Sequence, residues 1–116
     1  MSKEKSLPDC IRLMPKKLKI GAYDWKIALE TGNGELCGQC DFQSRILRLW
    51  PETITSPDNF VGILIHEALH AIYDVQGLDK MLEDDREEQI ITGFESGLVS
   101  LFRDNPRLLT WMKRWL

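Results

Sequence analysis

Ser56-Pro57-Asp58-Asn59-Phe60-Val61-Gly62-Ile63-Leu64-Ile65-His66-Glu67-Ala68-Leu69-His70-Ala71-Ile72-Tyr73-Asp74-Val75-Gln76-Gly77 reads as one helix from end to end. Ser56 is a natural N-cap, because its hydroxyl can accept from a backbone N–H of the first turn. Pro57 then falls at the first helical position, where a missing N–H costs nothing. Gly77 tolerates the left-handed conformation in which helices commonly end. Inside this helix His66, Glu67 and His70 are spaced as HExxH. Residues four apart share a helix face, so both imidazoles can aim at one ion, with Glu67 beside it to hold a water. The chain has two histidines and both lie in this motif. Two histidines on an ordinary amphipathic helix is the plainer alternative, but it leaves that concentration unexplained.

Upstream of the helix the periodicity changes. Trp25, Ile27 and Leu29 alternate with Lys26 and Ala28, a period of two that marks a strand. Lys17–Ile20 reads as a short strand paired with 24–29 through Gly21-Ala22-Tyr23. Asn33-Gly34 is a hairpin signal, since both residues tolerate positive φ. Leu36–Phe42 and Arg45–Trp50 are the next strands, joined by Gln43-Ser44, and Pro51 closes them. The expectation is a small antiparallel sheet or meander of three to four strands. Residues 1–16 are polar, contain Pro8 and Pro15, and read as a loosely docked N-terminal arm.

Downstream, a second long helix is expected over about Leu82–Arg103, with Ile90, Ile91, Phe94, Leu98, Leu101 and Phe102 on its apolar face. Asp104-Asn105-Pro106 breaks the chain. Leu108, Leu109, Met112 and Trp115 then mark a short C-terminal helix. Arg107, Trp111, Lys113, Arg114 and Trp115 could suggest a partner or membrane surface, although such a stripe more often packs a last helix on the core. Strands first and helices afterwards make the fold class α+β.

The whole chain, 1–116, is the length of one domain. Its 43% hydrophobic and 28% charged residues are globular composition, unlike a disordered chain. A net charge of −3, from 15 basic and 18 acidic residues, provides no electrostatic footprint for nucleic acid. No apolar run approaches the roughly 18–20 residues that cross a bilayer, and Met1-Ser2-Lys3-Glu4-Lys5 is not followed by the apolar stretch of a secretory signal. A cytoplasmic protein with no membrane partner is expected. Three cysteines, Cys10, Cys37 and Cys40, are an odd count that argues against a disulfide framework.

A catalytic zinc site takes three protein ligands and keeps one position for water. With no third histidine, the third ligand is a carboxylate or a thiolate. Tyr73 and Gln76 stand where a metzincin has glycine and histidine, which excludes that pattern. Three sources remain: the acidic run Glu83-Asp84-Asp85-Arg86-Glu87-Glu88, Asp74 one turn past His70, and the Cys37/Cys40 pair. On a helical wheel Glu87 lies near the centre of the second helix's apolar face and Glu88 at its edge. A site at the rim of the core favours the edge and a site beneath it favours the centre, so periodicity leaves both open. An acidic first turn is also what a helix macrodipole favours, with no metal involved. Tyr23 and Tyr73 are the available phenols; Tyr73 shares a helix face with His66 and is the nearer candidate to steady an oxyanion.

His66-Glu67-Ala68-Leu69-His70-Ala71-Ile72-Tyr73-Asp74-Val75, followed by Glu87-Glu88-Gln89-Ile90-Ile91-Thr92-Gly93-Phe94-Glu95-Ser96-Gly97-Leu98 and Arg103-Asp104-Asn105-Pro106, resembles small phage- and prophage-type metallopeptidases. These are gluzincin-like, related to the ImmA/IrrE group and more distantly to thermolysin, and the likeness covers residues 36–116. In that group the third ligand is a Glu on the helix after HExxH, commonly with Asp or Asn four residues on and an aromatic six on. Counting from Glu88 gives Thr92 and Phe94; counting from Glu87 gives Ile91 at plus four. The resemblance therefore implies Glu88 as third ligand, Glu87 as the alternative, and Thr92 as its supporting polar group. It further implies a Zn2+-dependent peptidase acting on a protein or peptide substrate in a bacterial host; the motif itself makes Glu67 the base, and the strand arrangement offers Arg45–Trp50 as an edge strand to hold an extended substrate. Two other readings keep the histidine pair. One is a non-catalytic metal-binding or protein-interaction module of phage type. The other is a deformylase- or amidase-like zinc hydrolase that takes a thiolate from Cys37 or Cys40.

Overall fold

The computed structural model describes residues 6–32, 37–78 and 86–115. The chain is α+β. Helix α1 (Leu7–Leu13) is followed by strands β1 (Lys17–Ile20), β2 (Tyr23–Leu29), β3 (Gly38–Asp41) and β4 (Ile46–Leu49), and a 3-10 turn at Pro51–Thr53. Three helices complete it: α2 (Pro57–Val75), α3 (Glu87–Asp104) and α4 (Pro106–Trp115). The Asn33-Gly34 signal, Leu36 and the acidic residues Glu83, Asp84 and Asp85 lie outside the described residues.

The strands fall where the period-2 pattern puts them, but the sheet is mixed. Its order is β1-β2-β4-β3, with β2 and β4 parallel and the two outer pairs antiparallel. The antiparallel meander is therefore corrected, and 24–29 does not form a hairpin with the next strand. The physical reason lies in what each strand must bury. Trp25 and Ile27 on β2, and Leu47 and Leu49 on β4, are buried and point to one face. These two strands take the centre. Lysine-bearing β1 and polar, small-residue β3 (Gly38-Gln39-Cys40-Asp41) take the edges, where exposed strands commonly carry charge. Reaching the outer position from β2 means crossing two strand spacings, about 9.6 Å, which the eight-residue stretch 30–37 can span and a two-residue turn cannot.

The turn at Gly21 falls where the sequence puts it, whereas the turn before β4 is wider than Gln43-Ser44 and takes in Arg45, which was expected to open that strand. Gly21 takes φ +62° as the first of two residues between Ile20 and Tyr23, the position where a tight hairpin turn favours glycine. Arg45 takes φ +55° after β3, and its guanidinium lies 3.7 Å from the centre of the Tyr23 ring. The Asp41 carboxylate accepts from Ser44 N (3.0 Å) and pairs with Arg48 (2.6 Å), tying β3 to β4.

Helix α2 lies across the inner face of the sheet. Phe60, Ile63 and Ala71 join Ile20, Trp25, Ile27, Leu47, Leu49 and Ile54 in the core. Gly77, at φ +72°, follows the helix as expected. Part of the N-terminal arm has regular structure. Leu7–Leu13 is a helix capped by Ser6, with Leu7, Cys10 and Ile11 packed on the core and Met14 buried. Its apolar residues recur three and four apart, a helical stripe that the polar composition and two prolines obscured. Among the described residues no helix is long and apolar enough to cross a membrane.

Candidate metal centre

The start of α2 is held from both sides. Ser56 Oγ accepts from Asn59 N (3.1 Å), and Asn59 Oδ1 accepts from Thr55 N (3.0 Å). The first bond satisfies a donor that the first turn leaves without a helical partner, and the second ties down the residue before the cap. The helix then presents two working faces. One meets the sheet and carries Phe60, Ile63, Glu67 and Ala71, all buried. The other carries His66 and His70 toward α3, which packs alongside.

Glu88 of α3 reaches both histidines. Its Oε1 lies 2.7 Å from His66 Nε2 and its Oε2 2.9 Å from His70 Nε2. The two Nε2 atoms are 3.3 Å apart. Zinc bonded to two imidazoles at about 2.0–2.1 Å in a tetrahedron needs its nitrogens about 3.3–3.4 Å apart, so the spacing fits that ion. The opposite sides of the rings are occupied too: Glu95 Oε1 lies 2.7 Å from His66 Nδ1, and Glu87 Oε2 lies 3.4 Å from His70 Nδ1. With the ring N–H on Nδ1, facing these carboxylates, the Nε2 lone pairs would face Glu88. A cation among those three groups would satisfy all of them at once.

Both candidate glutamates thus meet a histidine, at different nitrogens. Glu88, with a side chain 64% exposed, approaches from the rim, where the edge of the apolar face was expected to count. Glu87 is half-buried and backs His70. Among the described residues His66, His70 and Glu88 form the one group able to hold a metal ion.

Glu67 is 6% exposed. Burial is the main cause that pushes its carboxyl up to about 7; His66 opposes this, while Glu88 and Glu95 add to it. Its closeness to β3 depends on Gly38, where a Cβ would stand 2.7 Å from the Arg48 carbonyl oxygen and 3.2 Å from Glu67 Oε2. A cleft of about 540 Å3 opens here, lined by Cys37 through Cys40 and Phe42 on one side and by Ile63, His66, Glu67, His70 and Glu88 on the other.

The remaining sequence candidates are placed differently. Tyr73 is buried and does not line the cleft, because seven residues of helix carry it about 10 Å along the axis from His66. Tyr23 lies on β2 under Arg45. Asp74 is exposed and outside the ligand group. Cys37 and Cys40 line the cleft but do not join that group. Burial, then the charge of Glu67, push the Cys40 thiol up to about 12, so it is a poor source of thiolate. Thr92 lines the cleft, but the group at His66 Nδ1 is Glu95. Glu95 escaped the sequence reading. Its signal was present: it lies seven residues, two turns, after Glu88 and so on the same side of α3.

No protein-family model, curated protein or solved structure matches the chain.

Proposed function

We propose that this protein is a zinc-dependent peptidase acting on internal bonds of a protein or peptide, with His66, His70 and Glu88 as the metal ligands and Glu67 as the proton carrier. The observation that carries this reading is the convergence of the three donor groups with the buried Glu67 carboxylate in one cleft, beside the end strand of the sheet. A zinc ion bound by such a set acidifies water to a pKa of about 7 and polarises a carbonyl oxygen. Glu67, in the same cleft beside the two histidines, is placed to accept a proton from water and deliver it to a leaving amine.

Substrate binding moves from the strand first expected to hold it. β4 is paired on both sides, so Arg45–Trp50 has no edge to offer. Among the described residues β3 is paired with β4 alone, and four consecutive residues, Cys37–Cys40, line the cleft. An extended peptide adding to this strand would pass in front of Glu67.

The test is metal content per chain for wild type and His66→Ala, purified without chelator or histidine tag, followed by cleavage of a degenerate peptide library by wild type and Glu67→Gln. About one zinc per wild-type chain, its loss in His66→Ala, and cleavage lost in Glu67→Gln with zinc retained are expected. A wild-type protein that takes up no zinc overturns the reading. Zinc uptake without cleavage turns it into the non-catalytic metal-binding module.

A further inference from the structure

Both histidines have a carboxylate behind them, but the two are not equivalent. Glu87 stands 3.4 Å from His70 Nδ1, whereas Glu95 stands 2.7 Å from His66 Nδ1. Glu95 also has a place made for it. Gly62, on α2 one turn before His66, is buried, and a Cβ there would lie 3.0 Å from Glu95 Oε2. Glycine inside a helix is unfavourable relative to alanine, so its presence calls for a local reason. The next nearest atoms are more distant: Val99 Cγ2 at 3.7 Å, an ordinary contact, and the Glu95 carboxyl carbon at 3.8 Å. The carboxylate oxygen is what an added methyl would displace.

We propose that Glu95 is the positioning residue that holds His66 ready to bind the metal, and that position 62 is glycine to admit the Glu95 carboxylate. This rests on the metal-site reading above and deepens it. Glu95 accepts the Nδ1–H of His66, which fixes the tautomer with a lone pair on Nε2, orients the ring and raises its basicity as a ligand. Glu88 and Glu95 are two turns apart on one side of α3, so they close on the same imidazole from its two nitrogens. Thr92, one turn after Glu88, is bypassed for a longer side chain one turn further on.

Zinc affinity is measured by competition with a chromogenic chelator for the full chain and for Glu95→Ala, Glu95→Gln, Gly62→Ala and the Gly62→Ala/Glu95→Ala pair. Each metal-free melting temperature and each cobalt(II) absorption spectrum is recorded as well. Glu95→Ala is expected to bind zinc about 10–100-fold more weakly and to shift the cobalt spectrum. Glu95→Gln, whose amide oxygen accepts the same hydrogen bond, recovers part of that loss. Gly62→Ala weakens zinc binding without lowering the metal-free melting temperature, and adds nothing in the double variant, because both changes act through one carboxylate. Zinc affinity of Glu95→Ala within about twofold of wild type, or losses that simply add in the double variant, overturns the proposal. A wild-type chain that binds no zinc removes the metal site itself. A wild-type chain that binds zinc beside an indifferent Glu95→Ala removes only the role of Glu95.

Discussion

Glu67 shows how one residue takes its chemistry from its surroundings. Its folded-state value of about 7 lies above the ordinary 4.5 because burial disfavours the charge. Between these values the native chain keeps a proton that the unfolded chain has released. The contribution of Glu67 to stability is therefore whole below about pH 4.5 and is lost as pH rises through about 7. In the metal-free protein Glu67→Gln should unfold like wild type near pH 4, and should be more stable by a few kcal/mol near pH 8, in urea titrations at the two pH values. Zinc-loaded Glu67→Gln should cleave peptides about 100-fold more slowly or worse with its zinc retained. Gly38 is a second residue with little freedom. Its missing Cβ would meet a backbone oxygen at 2.7 Å, so Gly38→Ala should cost about 1–3 kcal/mol in urea unfolding. The histidines and Glu67 were legible as a pattern in the sequence. The roles of Glu87 and Glu95 were not, because each depends on which ring nitrogen a side chain from another helix reaches.

At the scale of elements, α2 was the easiest to read and is the most consequential. Its cap, its proline and its terminating glycine are local signals, and its limits follow from them. Ser56→Ala should remove the Asn59 N hydrogen bond and lower stability by about 1 kcal/mol, with zinc affinity unchanged since the ligands lie about three turns away. A thermal melt and a zinc titration on the same variant check both halves. The strands were equally legible as elements: β2 and β4 show themselves by alternation and β1 by its glycine turn. Their order was not, since period-2 patterning states which face a residue takes and leaves open which strand lies beside it. The edge expected to bind substrate was misassigned for this reason. Leu47 and Leu49 are fully buried only when β4 is flanked on both sides, and that leaves β3 at the border of the cleft.

For the whole molecule, the three residues proposed to hold the metal lie at the seam between α2 and α3. Among the described side chains of α3, Ile91 alone is buried, while Glu87, Glu88 and Glu95 all reach histidines of α2. An ion at this seam would act as a cross-link between the helices. Zinc should therefore raise the melting temperature, with stabilisation of about 2.7 kcal/mol when free zinc is one hundred times its dissociation constant. Chelation should lower amide-exchange protection over Glu87–Asp104 more than over β2 and β4, whose burial owes nothing to the ion. Uniform loss of protection across the chain would contradict a seam-specific role.

The amino-acid sequence by itself determined the α+β class, the limits of the helix carrying HExxH, the pairing of His66 with His70 on one face, and the placing of Glu67 beside them. All of these follow from spacings of one to four residues along a single element, where backbone geometry alone sets what lies near what. Only the tertiary structure decided the parallel pairing of β2 with β4, the docking of α1, which histidine nitrogens Glu87 and Glu88 face, and the contact of Glu95 with His66 across the space left by Gly62. Each joins residues far apart in the chain. Such contacts are chosen by which surfaces can be buried together, and no local periodicity records that choice.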